Sequence, residues 1–242
     1  MDRGEAEAKA AAKAVRDAEG FVADGPDKPL LGLYFADARR GWVVGAYGLA
    51  LATDDGGKSW RSIAHRLDNP SGKHLNDIRP DGLGALVIAG EQGALFRSEV
   101  AVSGGDPGLA PTDVRFVAVK TPYTGSYFGT VESRAGELVA YGLRGNAYRL
   151  VEPGASWQKV ELGQTATVTA GARLADGAVV LADETGRVLL SRDGAAKFTA
   201  LASGGSRSFT AVAQAPDGAL VLAGAGGMTR LAPDILTAED KK

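Results

Sequence analysis

The segment "GAYGLALATDDGGKSW" at positions 45–60 contains the two patterns that decide the fold. It begins with a Gly-x-x-Gly turn, which separates the apolar runs "GWVVG" and "LALA". Its second half, "TDDGGKSW", places two acids and two glycines in front of a tryptophan. Short apolar runs separated by glycine turns are typical of β-strands joined in hairpins. The segment therefore predicts two consecutive hairpins.

The Gly-x-x-Gly turn recurs along the chain at intervals of 45, 52, 41 and 41 residues. In one copy Asp183 replaces the first glycine. The second glycines are Gly48, Gly93, Gly145, Gly186 and Gly227. A turn rich in Asp, Gly or both precedes each copy, at 37–41, 80–84, 134–137, 175–178 and 216–219. Two markers that share one period are typical of four-stranded β-propeller blades. An inserted loop at 100–113 explains the longest interval.

The predicted fold is all-β, a propeller of four-stranded blades, five of them visible, with a short N-terminal helix. Residues 1–24 are rich in helix-forming Ala, Glu, Lys and Arg, so they are predicted to be a helix and linker. The propeller is expected over residues 25–236, and 237–242 form a polar tail. The predicted blades are approximately 30–64, 75–120, 126–162, 167–202 and 208–236. The last blade shows three recognisable strands, so the sequence as written leaves an incomplete ring, with an open sheet edge, as an alternative to a closed one.

The turn at 53–60 is interpreted as a structural brace and not as a catalytic or metal-binding loop. Its acid can accept backbone N–H groups within the turn, its glycine allows positive φ, and its aromatic residue packs beneath. In the third unit, Glu152 and Gly154 stand at the positions equivalent to Asp55 and Gly57. In the second unit, Phe116 takes the position of the aromatic residue Trp60. The residues predicted to have this structural role are Thr53, Asp55, Gly57, Ser59, Trp60, Trp157, Asp193 and Phe198.

Composition excludes several classes of function. Because 27 cations oppose 29 acids without a basic block, nucleic acid is not an expected partner. No apolar stretch approaches the roughly 20 residues of a membrane span, so membrane insertion is not expected. The chain has no cysteine, which excludes disulfides and thiolate sites. His65 and His74 do not have a zinc-binding spacing, so we expect neither a metal nor a cofactor.

Five further segments are the most specific parts of the sequence. They are "GPDKPLLGLYFADARRGWVVGAYG" (25–48), "DNPSGKHLNDIR" (68–79), "AGEQGALFR" (89–97), "TPYTGSYFG" (121–129) and "AYGLRGNAYR" (140–149). With the braced turns, they make the stretch from Gly25 to Leu231 resemble the Asp-box (BNR-repeat) propellers of the photosystem II stability/assembly-factor-like, or YVTN/BNR-like, family. They are similar in particular to a bacterial branch of that family.

The resemblance implies a non-enzymatic assembly factor that binds protein subunits. It also implies an exported protein with two further blades and a helical insertion ahead of this region, encoded in some cases beside RND-type transporters. Residues 1–24 look like the tail of that insertion. The implied location is periplasmic if a signal precedes this chain, and cytoplasmic if the chain is complete as written.

Blade geometry predicts which loops bind a partner. The turns between second and third strands and the connections between blades emerge on one face, opposite the Asp-box turns. Aromatic, arginine and amide groups there fit a protein or peptide partner, with a membrane-protein complex as its source. The candidate binding residues are Tyr47, Asn69, His74, Asn76, Glu91, Gln92, Tyr123, Ser126, Tyr127, Arg144, Asn146 and Arg207.

Three functions compete for this fold. A protein-binding scaffold or assembly factor is favoured. The alternative is a sialidase-like glycoside hydrolase, in which Tyr123 or Tyr127 is the nucleophile and Arg79, Arg144 and Arg207 hold the substrate. The sequence contains no Arg-Ile-Pro motif, and no acid beside these tyrosines fits the base. The third is a purely architectural domain without a defined site.

Overall fold

A computed structural model describes residues 8, 12, 15–16, 18–23, 25–102, 108–134, 137–151, 156–201 and 207–237. Glu152, Gly154 and residues 238–242 of the predicted tail lie outside these ranges. The described residues up to position 23 are helical. Within the described ranges, no helix has both the length and the apolar character needed to cross a membrane.

The described strands form five antiparallel sheets, each assembled in chain order, and the fold is a β-propeller. One compact unit comprises Met1–Pro80 and Gly84–Thr121, and the other comprises Asp81–Leu83 and Pro122–Lys242. The first contains blade 1 (β1 Leu30–Phe35, β2 Gly41–Gly45, β3 Ala50–Thr53, β4 Arg61–Ser62) and blade 2 (β5 Leu75–Pro80, β6 Leu86–Gly90, β7 Leu95–Ser98, β8 Phe116–Ala118).

The second unit contains the remaining three blades. They are blade 3 (β9 Tyr127–Arg134, β10 Glu137–Gly142, β11 Ala147–Leu150, β12 Gln158–Val160), blade 4 (β13 Val168–Arg173, β14 Val179–Asp183, β15 Val188–Ser191, β16 Thr199–Leu201) and blade 5 (β17 Ala211–Gln214, β18 Leu220–Gly224, β19 Gly227–Leu231). Gly48, Gly93, Gly145 and Gly186 lie at equivalent places in the turns between second and third strands, as the sequence predicted. Gly227 belongs to the equivalent hairpin of blade 5, but it is the first residue of β19 and pairs with Gly224, so that turn is one residue shorter.

The core of the first unit lies between blades 1 and 2. Trp42, Val44 and Ile63 of blade 1 pack with Leu75 and Ile78 of blade 2, and all five are essentially inaccessible to solvent. Each such side chain contributes on the order of 1.5–3 kcal/mol through burial. The backbones approach so closely that a Cβ on Gly32 would lie 2.8 Å from the Cα of Asp77. Glycine in a strand is needed there for packing rather than for a turn.

The second unit has two core layers, one between blades 3 and 4 and the other between blades 4 and 5. Val139 and Tyr141 of blade 3 pack with Val168 and Leu181 of blade 4. The opposite face of blade 4 packs on blade 5 through Val180, Val188 and Leu190 with Phe209, Leu220 and Leu222. The second strands are therefore buried on both faces, which explains continuous apolar runs such as "VVLAD" instead of alternation.

Blade 5 has the three strands that its sequence shows, where the other blades have four. Within residues 207–237 it contains three, in the order β17-β18-β19. Pro233 begins a short 3₁₀ turn over Pro233–Leu236, and Leu236 packs into the core between blades 4 and 5. Because proline cannot donate a ladder hydrogen bond, β19 ends before Pro233.

Candidate binding site in the turns of the blades

In blades 1 to 4, the turn between second and third strands is bonded to the chain that enters the blade. The N–H groups of Ala46, Glu91 and Leu143 donate to carbonyls of residues 17 positions earlier, Pro29, His74 and Ser126, at 3.0–3.1 Å. A Cβ on Gly142 would lie only 2.0 Å from the Ser126 carbonyl oxygen, and a Cβ on Gly45 2.3 Å from that of Pro29. Glycine at the first place of the repeat therefore allows this close contact in blades 1 and 3, whereas blade 4 makes the same bond, from the Glu184 N–H to the Thr167 carbonyl, with Asp183 at that place.

Three of these turns hold an uncommon backbone conformation. Tyr47, Gln92 and Arg144 have φ of 57°, 51° and 57°, and each precedes a glycine that also has positive φ. Positive φ at both central residues is characteristic of type I′ turns, which favour Asn-Gly. A left-handed non-glycine residue costs on the order of 1 kcal/mol and is a reason to look for function. All three side chains are exposed, and Tyr47 retains 61% of its accessible surface.

Glu91 braces the turn of blade 2 rather than pointing at a ligand. Its Oε1 accepts the N–H of His74 at 2.8 Å. Glu184 repeats the arrangement in blade 4, where it accepts the N–H of Thr167 at 2.8 Å. Asp183 takes the place of glycine there, and its Oδ1 accepts the N–H groups of Thr185 and Arg187. The conspicuous acids of these turns are thus occupied by their own backbone.

A groove lies beside the Tyr47 turn in the first unit, and we name it the helix–turn groove. Its volume is about 430 Å³. Its lining residues are Arg16, Gly20, Phe21, Tyr47, Gly48, Ala64, Asn69, Pro70, Ser71 and Gly72. The lining combines the exposed Tyr47 ring with a cation, an amide and main-chain groups. Such a mixture suits a peptide better than a purely apolar ligand.

Neighbouring side chains support the Tyr47 ring. Its ring centroid lies 4.7 Å from that of His74. The Lys28 ammonium lies 5.9 Å from the Tyr47 centroid and 5.3 Å from that of Phe21, within cation–π range. Asp27 pairs with this ammonium at 3.1 Å. Tyr47 is therefore supported on two sides while most of its surface stays accessible.

The far wall of the groove is fixed by Asn69. Its Oδ1 accepts the N–H of Lys73, and its Nδ2 donates to the Lys73 carbonyl, both at 3.0 Å. The Lys73 ammonium then donates to the Gln92 carbonyl at 3.1 Å. Asn69 thus shapes the groove through its bonds to Lys73, whereas Tyr47 contributes an accessible side chain.

In the second unit, Tyr123, Tyr127 and Tyr148 form a cluster with centroid separations of 5.4, 5.7 and 6.5 Å. The Tyr123 hydroxyl donates to the Leu143 carbonyl at 3.0 Å, and Asn146 Nδ2 donates to the same oxygen at 2.9 Å. These bonds hold the turn that displays Arg144. Tyr148 was not a candidate because its position in β11 gave no signal that it would stack on Tyr123.

The other candidates are placed as follows. Ser126 contributes its carbonyl to the Leu143 N–H, Asn76 is half-buried in β5, and Arg207 donates to the Gly226 carbonyl at 3.2 Å. Arg79 pairs with Asp77 at 3.1 Å. The structure thus brings Tyr47, Asn69 and His74 together in the first unit, and Tyr123, Tyr127, Asn146 and Arg144 in the second.

The surroundings of the tyrosines do not support a nucleophilic role. Burial raises the pKa of Tyr123, and the hydrogen bond from Asn146 offsets this only in part. A nucleophile needs the opposite shift. Tyr127 is fully buried. Among the described residues, no three His, Asp or Glu side chains lie close enough to hold a metal ion.

The Asp-box turn of blade 1 binds its own chain. Asp55 Oδ1 accepts the Thr53 hydroxyl at 2.8 Å and the Ser59 N–H at 2.9 Å, and Oδ2 accepts the Ser59 hydroxyl at 2.6 Å. The bonds from Ser59 lower the pKa of Asp55 most strongly. Trp60 Nε1 donates to the Gly57 carbonyl at 3.1 Å, and its ring packs edge-on against Phe35.

Blade 4 repeats this brace with different residues. Asp193 Oδ1 accepts the Ser191 hydroxyl at 2.8 Å and the Lys197 N–H at 3.1 Å. Ala195 occupies the glycine place with φ of 61°. Phe198 is buried and Trp157 half-buried in the corresponding aromatic places. In blade 2, Ser98 instead accepts the Leu86 N–H and donates to the Val100 carbonyl.

The family model described as photosynthesis system II assembly factor YCF48 matches residues 35–234. The chain belongs to this family. A search among curated protein sequences found no match.

Solved structures of family members share the fold. YCF48 bound to D1 peptide is 22% identical, with a TM-score of 0.63, over 86% of this chain and 64% of that one. YCF48 from Cyanidioschyzon merolae is 16% identical, with a TM-score of 0.60, over 86% of this chain and 68% of that one. Apart from these YCF48 structures, a streptogramin B lyase structure matches at 13% identity and a TM-score of 0.63, over 86% of this chain and 70% of that one. This chain thus spans about two thirds of the length of these proteins, and the likeness shows the propeller fold.

Proposed function

We propose that this chain is a non-enzymatic scaffold that holds an extended segment of a partner protein in the helix–turn groove. The observation that carries the proposal is Tyr47, an aromatic side chain held in left-handed backbone at the groove and 61% exposed. Such strain persists only where surrounding contacts fix it, and it concentrates at functional sites. Exposed tyrosines supported from below are common anchors in interfaces.

Two further observations support a peptide as the ligand. One relative of the same family has been solved with a D1 peptide bound. The groove wall at 69–73 is fixed by the Asn69 bonds to Lys73, so little ordering is needed on binding. A preformed wall and a supported aromatic side chain fit an extended segment that lies across both.

The direct test measures affinity in two steps. Peptides of 12 residues are first selected against the 242-residue chain from a random library, and the D1 peptide is added as a further ligand. Titration calorimetry then compares the unaltered chain with Tyr47→Ala. We expect Tyr47→Ala to weaken binding roughly 10- to 100-fold, as for a central aromatic anchor.

A matched control removes a side chain at the other end of the same blade. Lys58 is exposed in the Asp-box turn, and Lys58→Ala should leave affinity within about twofold. Tyr47→Phe keeps the ring and should bind within a few-fold of the unaltered chain. Selected peptides that bind equally to Tyr47→Ala would refute the groove as the site.

We extend the proposal to a periplasmic location and to a partner from a membrane-protein complex, including a transporter. These extensions rest on the family resemblance. Fractionation of cells that express the native gene, followed by affinity purification from the periplasmic and membrane fractions, tests both. Recovery only in the cytosol, without a membrane protein, would contradict them.

A further inference from the structure

The turn between second and third strands of blade 2 displays a side chain that the helix–turn groove does not use. Gln92 has φ of 51° and is exposed, and it is not among the residues that line the groove. Among the residues that the structure describes, none makes a hydrogen bond with its side-chain amide. The turn therefore presents free hydrogen-bond donors and a free acceptor to solvent.

The hairpin itself does not require a left-handed glutamine. In the equivalent turn of blade 4, residues 183–187, only Gly186 has positive φ. Thr185, which takes the place of Gln92 there, closes the same hairpin without this conformation. The strain at Gln92 is thus a property of this turn and not of the blade as a repeat.

Three hydrogen bonds fix the Gln92 turn. The Glu91 N–H donates to the His74 carbonyl at 3.1 Å, and the Ala94 N–H donates to the Glu91 carbonyl at 2.9 Å. The Lys73 ammonium donates to the Gln92 carbonyl at 3.1 Å. All three bonds use main-chain groups of the turn, so none of them depends on the Gln92 side chain. A strained residue held by its surroundings in this way is characteristic of functional sites.

His74 connects this turn with the groove. Its ring centroid lies 4.7 Å from that of Tyr47. Its main chain bonds to Glu91 in both directions, because its carbonyl accepts the Glu91 N–H and its N–H donates to Glu91 Oε1 at 2.8 Å. The Tyr47 turn and the Gln92 turn are therefore neighbours in the first unit, with His74 between them. An extended chain advances about 3.3 Å per residue, so a segment of roughly 12 residues in the groove is long enough to reach Gln92.

The chemistry at Gln92 suits the main chain of a peptide. A glutamine side chain carries a carbonyl acceptor and two N–H donors, which match the N–H and carbonyl of a peptide group whatever its side chains are. The two charged side chains that bond to this turn, Lys73 and Glu91, have opposite signs. The turn therefore does not select a ligand by its net charge.

We infer that Gln92 binds the main chain of the partner segment beyond the groove, donating to one of its carbonyls and accepting one of its N–H groups. The inference rests on the proposed function, because it needs the segment to be held at Tyr47. Tyr47 anchors the segment, and Gln92 fixes the course of its backbone. The segment must carry an N–H at that place, which excludes proline there.

The first test measures the affinity of the selected peptides for Gln92→Gly by titration calorimetry. We expect binding to weaken roughly 3- to 10-fold, which is the size of one or two neutral hydrogen bonds. Lys58→Ala is again the control and should bind within about twofold. Unchanged affinity in Gln92→Gly with a loss in Tyr47→Ala would overturn this inference and leave the proposed function standing. Unchanged affinity in both variants would overturn both.

The urea midpoint distinguishes a lost contact from a damaged turn. Gln92→Gly keeps the main-chain bonds of the turn, and glycine adopts φ of 51° without steric cost. The midpoint should change little, because the relief of strain offsets the chain entropy that glycine adds to the unfolded state. A clearly lower midpoint would mean that the Gln92 side chain supports its own turn, and it would overturn the inference.

An ester scan of one selected peptide tests the main-chain contact itself. Each peptide N–H is replaced in turn by an ester oxygen, which removes a donor and keeps the side chains. At one position we expect the affinity for the unaltered chain to fall roughly 3- to 10-fold and the affinity for Gln92→Gly not to fall further. Esters at other positions should affect both proteins alike. A scan in which every ester has the same effect on the two proteins would overturn the inference.

Discussion

The Tyr47 turn and the Asp-box turn of blade 1 both use left-handed backbone, but they place their side chains differently. In the Asp-box turn the left-handed residues are Gly56 and Gly57, and the polar side chain of Asp55 bonds to its own turn. In the other turn the left-handed residue is Tyr47, whose ring remains exposed. The Asp-box turn therefore has a structural role, and the Tyr47 turn is the one that presents an accessible side chain to a partner.

The largest expected difference in stability is between replacing Gly142, in a turn between second and third strands, and replacing Gly57, in an Asp-box turn. Gly142→Ala puts a Cβ 2.0 Å from the Ser126 carbonyl oxygen and should destabilise the protein by about 3 kcal/mol. Gly57→Ala should cost only about 1 kcal/mol, because Ala195 already occupies the equivalent place in blade 4. Urea unfolding measures both. Equal losses of unfolding free energy in the two variants would show that the close contact at Gly142 does not make this glycine harder to replace than Gly57.

The next largest expected effect is a loss of stability in acid, which comes from aspartates in the Asp-box turn and in the turns between first and second strands. Hydrogen bonds lower the pKa of Asp37 to about 2, chiefly from the Arg40 N–H, and lower that of Asp55, chiefly from Ser59. Bonds from the Ala178 N–H and from Arg230 lower the pKa of Asp176 and Asp217. A pKa lowered by folding stabilises the protein above the unfolded value, and that stability is lost as the pH falls through the folded value.

The urea midpoint should therefore fall between about pH 4 and pH 2. Asp55→Asn should lower the midpoint at pH 7 and reduce its acid dependence. A midpoint that is level from pH 5 to pH 2 would contradict these pKa directions.

A single brace should have a smaller effect. Asp193→Ala removes the acceptor for the Ser191 hydroxyl and the Lys197 N–H. Because this turn is accessible to water, we expect a loss of about 1 kcal/mol, with peptide affinity unchanged. A loss of peptide affinity without a loss of stability would give this acid a role in binding.

The smallest effect runs in the opposite direction. Arg144 has φ of 57° in a type I′ turn, and asparagine is better suited to that place. Arg144→Asn should raise the free energy of unfolding by about 0.5–1 kcal/mol. If Arg144→Asn instead lowers the free energy of unfolding, the arginine side chain contributes more stability than its left-handed backbone costs.

Sequence reasoning reached the repeated hairpins because they depend on local chemistry. Glycines in a tight turn and an aromatic residue beneath the next turn recur at similar offsets, so the period reveals the blades. The stacking of Tyr148 on Tyr123 and the 17-residue link between Glu91 and His74 depend on which strands become neighbours. Single-residue patterns do not contain that information.

The left-handed conformation of Tyr47 was also beyond sequence reasoning. A Tyr-Gly pair does not favour a type I′ turn, and the turn is held by the bonds from the Ala46 N–H to the Pro29 carbonyl and from the Leu49 N–H to the Ala46 carbonyl. The third strand of blade 5 was located from the repeat alone. The 3₁₀ turn that follows depends on Leu236 finding space between two blades.

Hydrogen exchange with and without a saturating selected peptide tests the central claim, which is that the Tyr47 turn binds and the Asp-box turn does not. We predict slower amide exchange at residues 46–49 and 69–74 and unchanged exchange at 53–60. Protection at 53–60 without protection at 46–49 would contradict the account.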